Sequence, residues 1–181
     1  MRAKYPPMVR GRKNPLFFGL PYRLKKARRQ SCLKRLPLAE KAGLATATGR
    51  DTETGQRIPT VNTVARLASA LGVSAGWLGY GLGEQFTDGK AATTDGMGAR
   101  LASVRTERGL TKVALARLLD LSATAIANIE KGAQTGVDVL ESLAKALNVS
   151  PAWLAFCEGP REILVKRRSR IVTGHSVPPN R

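Results

Sequence analysis

Apolar residues recur at helical spacing in the second half of the chain. Four of them lie three, four and seven residues from the first and so share one face of a helix: Leu140, Leu143, Ala144 and Leu147. Ser150 is a good N-cap and Pro151 suits a first helical position, so this helix ends near residue 148 and another begins at once. The pattern therefore predicts consecutive helices joined by short turns.

The same pattern occurs twice. Residues 61–78 align with residues 137–154 at an offset of 76, and nine of the 18 positions are identical. Average composition gives only about one or two identities in such a stretch by chance. Upstream, residues 23–44 align with residues 100–121 at an offset of 77, so the first copy carries one extra residue. The chain therefore consists of two copies of one helical unit.

The repeat and the polar, turn-rich stretch between its copies predict the domain organisation. We predict five segments: a basic N-terminal arm (1–20), domain 1 (21–83), a linker (84–96), domain 2 (97–159) and a basic C-terminal tail (160–181).

Charge is abundant and unevenly distributed. The 181 residues include 30 Lys or Arg and 13 Asp or Glu, a formal net charge of +17. Residues 1–39 hold 12 basic and no acidic side chains, and residues 161–181 hold six basic and one acidic, whereas residues 99–160 are nearly neutral. Such an excess favours a polyanionic partner. Nucleic acid is favoured over a membrane, because no apolar run approaches the roughly 20 residues that span a bilayer.

The scarcity of reactive side chains argues against an enzyme. Cys32 and Cys157 lie far apart, and His175 is the single histidine of the chain. Disulfide scaffolds, cysteine zinc sites and most histidine-based catalysis are thereby excluded. We expect no cofactor, no metal and no small-molecule ligand, and a reducing, cytoplasmic location.

The front half of copy 2 predicts two short helices joined by a tight turn. Thr111 caps a helix over residues 112–119, Asp120 lies in the turn, and Ser122 caps a second helix over residues 123–131. This arrangement matches the helix-turn-helix motif. Three apolar residues anchor the second helix to the core: Leu121, Ile126 and Ile129. Its opposite face is left free for a partner.

Two stretches of copy 2 carry a resemblance to a known family. GLTKVALARLLDLSATAIANIEKG, followed by LESLAKALNVSPAWL, resembles the helix-turn-helix family of phage repressors and Cro proteins, often called XRE. The resemblance covers residues 99–158 and, more weakly, residues 22–82. It implies an all-α chain of two tandem five-helix domains like those of lambda repressor. In this family the domains are usually dimeric and insert their third helix into the DNA major groove.

The resemblance assigns DNA contacts to residues of copy 2. They are Lys112, Ser122, Ala123, Thr124, Asn128 and Lys131. An Asn amide suits adenine, and the Ala or Thr methyl suits the thymine methyl group. Ser122 and the helix N-terminus can hold a phosphate. Lys112 replaces a common family Gln, so it retains phosphate attraction without a bidentate amide. Glu130 is expected to pair with Arg105 rather than to act as a catalytic acid.

Copy 1 departs from the motif in its second helix, predicted over Thr46 to Glu53. Gly49 and Thr52 stand where copy 2 has its two isoleucine anchors, so the apolar face is weak. This helix is either a flexible recognition segment or one that binds phosphate or supports assembly, and we favour DNA contact with little base reading. The candidate DNA-contacting residues of copy 1 are Arg28, Arg29, Arg35, Thr46, Thr48, Arg50 and Arg57.

These features predict a sequence-specific, repressor-like regulator of transcription that binds double-stranded DNA, with the arm and tail on phosphates. It would be nucleoid-associated in bacteria or phage-encoded. A flexible linker could place the two domains in major grooves about 34 Å apart, on a direct repeat or on two unlike half-sites. Homodimerisation through residues 161–173 is a competing plan. An alternative function is a protein-interaction adaptor that binds a polymerase or a toxin.

Overall fold

The computed structural model describes residues 14–87 and 93–162. Within these ranges, a 3-10 turn (Leu16–Gly19) is followed by ten helices: α1 (Leu20–Gln30), α2 (Arg35–Lys41), α3 (Thr46–Glu53), α4 (Val61–Leu71), α5 (Ala75–Tyr80), α6 (Met97–Glu107), α7 (Lys112–Leu118), α8 (Ala123–Glu130), α9 (Val137–Ala146) and α10 (Pro151–Phe156). The prediction of an all-α chain with five helices in each of two copies is confirmed.

Several predicted features fall outside the described residues. They are most of the basic arm, the middle of the predicted linker, His175 and the tail beyond residue 162, which includes the proposed dimer seam. No helix of the described ranges is both long enough and apolar enough to cross a membrane.

Local sequence signals account for the ends of the helix-turn-helix in domain 2. The Thr111 hydroxyl accepts a hydrogen bond from the backbone N–H of Ala114, and the Ser122 hydroxyl accepts one from Ala125. Asp120 adopts a left-handed φ of 55° in the turn, a conformation that short polar side chains tolerate. The predicted caps are therefore confirmed, and α8 ends at Glu130, one residue earlier than predicted.

A small residue and two isoleucines fix the crossing of α7 and α8. Ala116 is buried where the two helices approach, and a larger side chain would force them apart. Ile126 and Ile129 of α8 are buried, while Leu121 in the turn is half-buried. These apolar contacts fix which face of α8 is exposed.

Helix α3 of domain 1 has the predicted bounds although its apolar anchor is weak. Thr52 is fully buried, and its hydroxyl donates a hydrogen bond to the backbone oxygen of Thr48 at 2.8 Å. Glu53, at the end of α3, accepts hydrogen bonds from Arg28 and Arg35 with a side chain that is 2% exposed. Buried polar contacts thus hold α3 where apolar contacts hold α8.

The two domains pack against each other, a contact that the sequence did not predict. Helices α5 and α10 are in contact, and one continuous cluster of buried apolar residues includes members of both domains. The carboxylate of Glu158 in domain 2 accepts hydrogen bonds from the backbone N–H groups of Ala75 and Gly76 at the start of α5. Contacts of this kind fix the two domains relative to each other.

Candidate nucleic-acid interface

The face of α8 that points away from the core carries the polar residues singled out in the sequence. Thr124, Asn128 and Lys131 are exposed, and Ala123 is half-buried. Since Ile126 and Ile129 occupy the opposite face, the helix presents its polar side chains outward as one row. The structure therefore brings together four of the candidate residues of domain 2.

The beginning of α8 suits an anion. Ser122 is exposed and caps the helix, and the first turn contains no acidic residue. Backbone N–H groups at a helix N-terminus carry partial positive charge and have no partner within the helix. A phosphate oxygen can be held there by these groups together with the Ser122 hydroxyl.

Glu130 at the end of α8 is part of a structural ion-pair network. The Nε atom of Arg105 lies 2.6 Å from a Glu130 oxygen, and another nitrogen of that guanidinium donates to the backbone oxygen of Leu110 at 2.8 Å. The pairing predicted for Glu130 is therefore confirmed. Lys112 lies on the outer side of this network, with its Nζ atom 3.5 Å from Glu130 and its side chain 44% exposed. Its ammonium group can face both the carboxylate and the solvent.

Domain 1 presents a different set of exposed candidates around α3. Five of the predicted residues are exposed, and they are Arg29, Arg35, Thr46, Arg50 and Arg57. Thr48 is half-buried, and the guanidinium of Arg50 pairs with Asp51 at 3.1 Å. This surface therefore offers positive charge with an acidic residue next to it.

Arg28 was expected to contact phosphate, and the structure assigns it a different role. Its guanidinium donates to both oxygens of Glu53, at 2.7 and 2.9 Å, and to the backbone oxygen of Leu33 at 2.8 Å. The side chain is only 13% exposed. Its hydrogen bond to Glu53 favours the charged form and raises the pKa of Arg28, although burial acts in the opposite direction. Arg28 therefore has a structural role in the described fold, and the phosphate contact expected of it stays a prediction.

Arg35 shares the same carboxylate but remains accessible. One of its guanidinium nitrogens lies 3.1 Å from Glu53, and its side chain is 46% exposed. Burial acts to raise the pKa of Glu53, but the hydrogen bonds and charges of Arg28 and Arg35 outweigh it, so the pKa is lowered. Arg35 can pair with Glu53 and still present a donor to the solvent.

The repeat itself contained the signal for the role of Arg28. Arg28 and Arg105 are equivalent at the offset of 77, and so are Glu53 and Glu130. The pairing inferred for copy 2 transfers directly to copy 1. The basic composition of the first helix does not reveal that Arg28 is equivalent to Arg105, because local composition does not distinguish a paired arginine from a solvated one.

Equivalent positions of α3 and α8 carry different chemistry. Ala45 stands in the place of the capping Ser122, and α3 has no side-chain cap. Asp51 stands in the place of Asn128, so a carboxylate replaces the amide. A carboxylate can only accept hydrogen bonds, and it repels the DNA backbone.

The described parts of the two domains also differ in charge. Residues 14–87 include 11 Lys or Arg and four Asp or Glu, whereas residues 93–162 include eight of each. Domain 1 therefore has the greater attraction for a polyanion, although domain 2 carries the more complete polar row on its third helix.

The described ranges contain no group of three or more His, Cys, Asp or Glu placed to hold a metal ion. A family model described as helix-turn-helix matches the chain twice, over residues 24–78 and 101–154. The two matches cover more than half of the chain and coincide with the two five-helix domains. No solved structure matches the chain.

Proposed function

The chain belongs to the helix-turn-helix family of DNA-binding regulators, as an XRE-type member with two tandem copies, and we propose that it recognises a specific double-stranded DNA sequence with α8. In this proposal α8 enters the major groove, whose width admits an α-helix. Occupation of the site then regulates transcription in the manner of a repressor.

The observation that carries this proposal is the division of α8 into two faces. Ile126 and Ile129 are buried, while Thr124, Asn128 and Lys131 are exposed in one row. Burial of the isoleucines prevents the helix from turning its polar row inward. A rigid helix with exposed amide, hydroxyl and ammonium groups has the donors and acceptors needed to read base edges and hold phosphates.

Each exposed group of α8 has a role in the proposal. The amide of Asn128 pairs with the donor and acceptor that adenine presents side by side, and Thr124 and Ala123 pack their methyl groups on thymine. Lys131 contacts a phosphate, and Ser122 holds another at the helix N-terminus. Lys112 adds a phosphate contact from the outer side of the Glu130 network.

Domain 1 contributes affinity more than sequence reading in this proposal. Arg29, Arg50 and Arg57 are exposed, and its described part has the larger basic excess. Phosphate contacts position a protein on the duplex without reporting the sequence. The basic arm and tail add further attraction of the same kind, because together they hold most of the remaining positive charge.

Substitution of Asn128 by Ala tests the assigned role. Loss of one bidentate base contact costs about 1–3 kcal/mol of binding free energy, or roughly five- to 150-fold in affinity, on the preferred site alone. The preferred site is first selected from random duplexes with the parent chain. Binding of parent and variant is then measured by fluorescence anisotropy on that site and on random DNA at two salt concentrations.

Two lysines serve as matched controls. Lys131→Ala is expected to weaken binding to all sequences and to reduce the salt dependence by about one unit of slope. Lys145→Ala removes the same charge from an exposed position on α9, outside the helix-turn-helix, and should have the smaller effect. An equal loss on preferred and random DNA with Asn128→Ala would show that Asn128 does not read a base.

A further inference from the structure

The backbone contacts between the two domains join equivalent positions of the repeat. The N–H of Val61 donates to the backbone oxygen of Thr135 at 2.9 Å, and the N–H of Val137 donates to the backbone oxygen of Pro59 at 3.1 Å. At the repeat offset of 76, Val61 is equivalent to Val137 and Pro59 is equivalent to Thr135. The two hydrogen bonds are therefore the same contact with the roles of the domains exchanged. The antiparallel bridge between Thr60 and Gly136 joins one position to its own counterpart.

Residues of α5 and α10 also meet at equivalent positions of the repeat. A Cβ atom added at Gly76 would lie 2.7 Å from the Cβ of Ala152, so these helices lie close together at two equivalent residues. The rings of Tyr80 and Phe156, another equivalent pair, have centroids 6.3 Å apart. The hydroxyl of Tyr80 donates across the interface to the backbone oxygen of Val137 at 3.3 Å.

Contacts between a position and its own counterpart define the symmetry of the pair. In a two-fold interface the same surface patch is used on both sides, and residues near the axis meet their own equivalents. A direct, head-to-tail arrangement would instead pair two different patches. The two domains are therefore related by an approximate two-fold axis that passes between Gly76 and Ala152.

This symmetry governs how α3 and α8 are presented. Two-fold symmetry relates the third helices of the two domains as it relates all other equivalent elements, so it matches half-sites of opposite orientation. This arrangement favours inverted half-sites over the direct repeat that was expected for independent domains. The faces of α5 and α10 are also already covered by each other, so this surface does not need a second copy of the chain.

We propose that one chain, acting as its own dimer, binds a DNA site with two inverted half-sites, of which only the half under α8 is read by base contacts. This inference rests on the proposed function and specifies its substrate. The unequal reading follows from Ala45 and Asp51, which replace the cap and the amide that Ser122 and Asn128 supply in domain 2.

A transplant of the exposed face of α8 onto α3 tests the orientation of the half-sites. The variant carries four substitutions at equivalent positions: Ala45→Ser, Ala47→Thr, Asp51→Asn and Thr54→Lys. Parent and variant are used as full chains to select bound fragments from random duplex DNA. We expect the parent to select one short motif with a weakly specified flank, and the variant to select that motif followed by its inverted copy.

The possible outcomes separate this inference from the proposed function. A direct repeat selected by the variant, or a single motif with no partner, would overturn the inference and leave the proposed function standing. Failure of the parent to select any motif would overturn the proposed function and the inference with it. Circular dichroism and thermal unfolding of the variant establish that the transplanted helix is folded before selection.

Stoichiometry of the parent and spacing with the transplant variant provide a second test. Native mass spectrometry of the parent on its selected site should give one chain per duplex, and two chains on one site would contradict the inference. Five base pairs inserted between the inverted motifs rotate one half-site to the opposite side of the DNA. We expect this insertion to weaken binding of the transplant variant about 100-fold or more, because simultaneous engagement is lost. An unchanged affinity would mean that the domains do not bind as a fixed pair.

Discussion

Helices α3 and α8 occupy equivalent places in the two domains, yet different interactions hold them there. In α8, Ile126 and Ile129 form a buried apolar face. At the equivalent positions α3 has Gly49 and Thr52, and its firmest attachment is the buried carboxylate of Glu53. The same helix geometry can therefore rest mainly on apolar packing or mainly on buried polar contacts.

The exposed faces of the two helices differ as well. The outer row of α8 contains an amide and a hydroxyl, whereas α3 presents Arg50 paired with Asp51. The fold is retained in domain 1 although a carboxylate, Asp51, replaces the amide of Asn128 on its third helix. The third helix therefore keeps its place in both domains although both its support and the chemistry of its outer face differ.

Substitution of Glu53 by Ala should have the largest effect on stability. It leaves the guanidinium of Arg28, 13% exposed, without its carboxylate partner, and removal of one member of a buried ion pair typically costs about 3–5 kcal/mol. We expect a loss of about 3 kcal/mol in the free energy of unfolding, measured by urea denaturation. Because one apolar cluster includes both domains, a single transition is expected.

Glu130→Ala is the matched control for this prediction. It removes the equivalent carboxylate and likewise leaves an arginine that is 13% exposed, Arg105, without its partner, but α8 keeps its two buried isoleucines. A smaller loss is therefore expected in domain 2. If both variants lose the same stability, the contrast between polar and apolar support is wrong.

Acidification should remove part of the same contribution. The folded-state pKa of Glu53 is lowered, so the stability that its charge provides is present above the unfolded pKa of about 4.3 and is lost as the pH falls through the folded value. We expect the difference in unfolding free energy between the parent and Glu53→Gln to shrink below about pH 4. Thermal unfolding of both proteins between pH 7 and pH 3 measures this difference. A constant difference would indicate that the charge of Glu53 does not stabilise the fold.

Gly49→Ala should have the smallest effect, and one of opposite sign. A Cβ atom at this position would lie 3.9 Å from the Cβ of Ala39, an ordinary van der Waals distance. Gly in a helix interior is about 1 kcal/mol less favourable than Ala. We therefore expect the free energy of unfolding to rise by up to about 1 kcal/mol, which is detected as a higher melting temperature. A destabilised variant would mean that α3 requires the conformational freedom of glycine here.

Local features of the helix-turn-helix were predictable from the sequence. The bounds of α3, the caps Thr111 and Ser122, the turn at Asp120 and the pairing of Glu130 with Arg105 all depend on residues close in sequence or on a strong motif. Caps and hydrophobic spacing act within one or two helical turns. They therefore also identified the face of α8 that is exposed.

The role of Arg28 and the packing of the domains were not predicted. A charged residue in a basic helix shows no local difference between a buried pair and a solvated face. The interface is built from small and aromatic residues, such as Gly76, Ala152 and Tyr80, that also suit the core of a single domain. The sequence therefore did not show that these residues also form the interface between the two domains.

The sequence by itself determined that the chain contains two copies of one helical unit, where the helices of its helix-turn-helix motifs lie to within a residue, and which face of α8 is polar, because these properties follow from local spacing and from identity at a fixed offset. The tertiary structure alone decided that the copies meet about an approximate two-fold axis and that Glu53 holds α3, because both depend on which distant surfaces come together. The hydrophobic effect has no preferred direction. The pattern of apolar residues along the chain therefore shows which helix faces must be buried, but not which other faces they pack against.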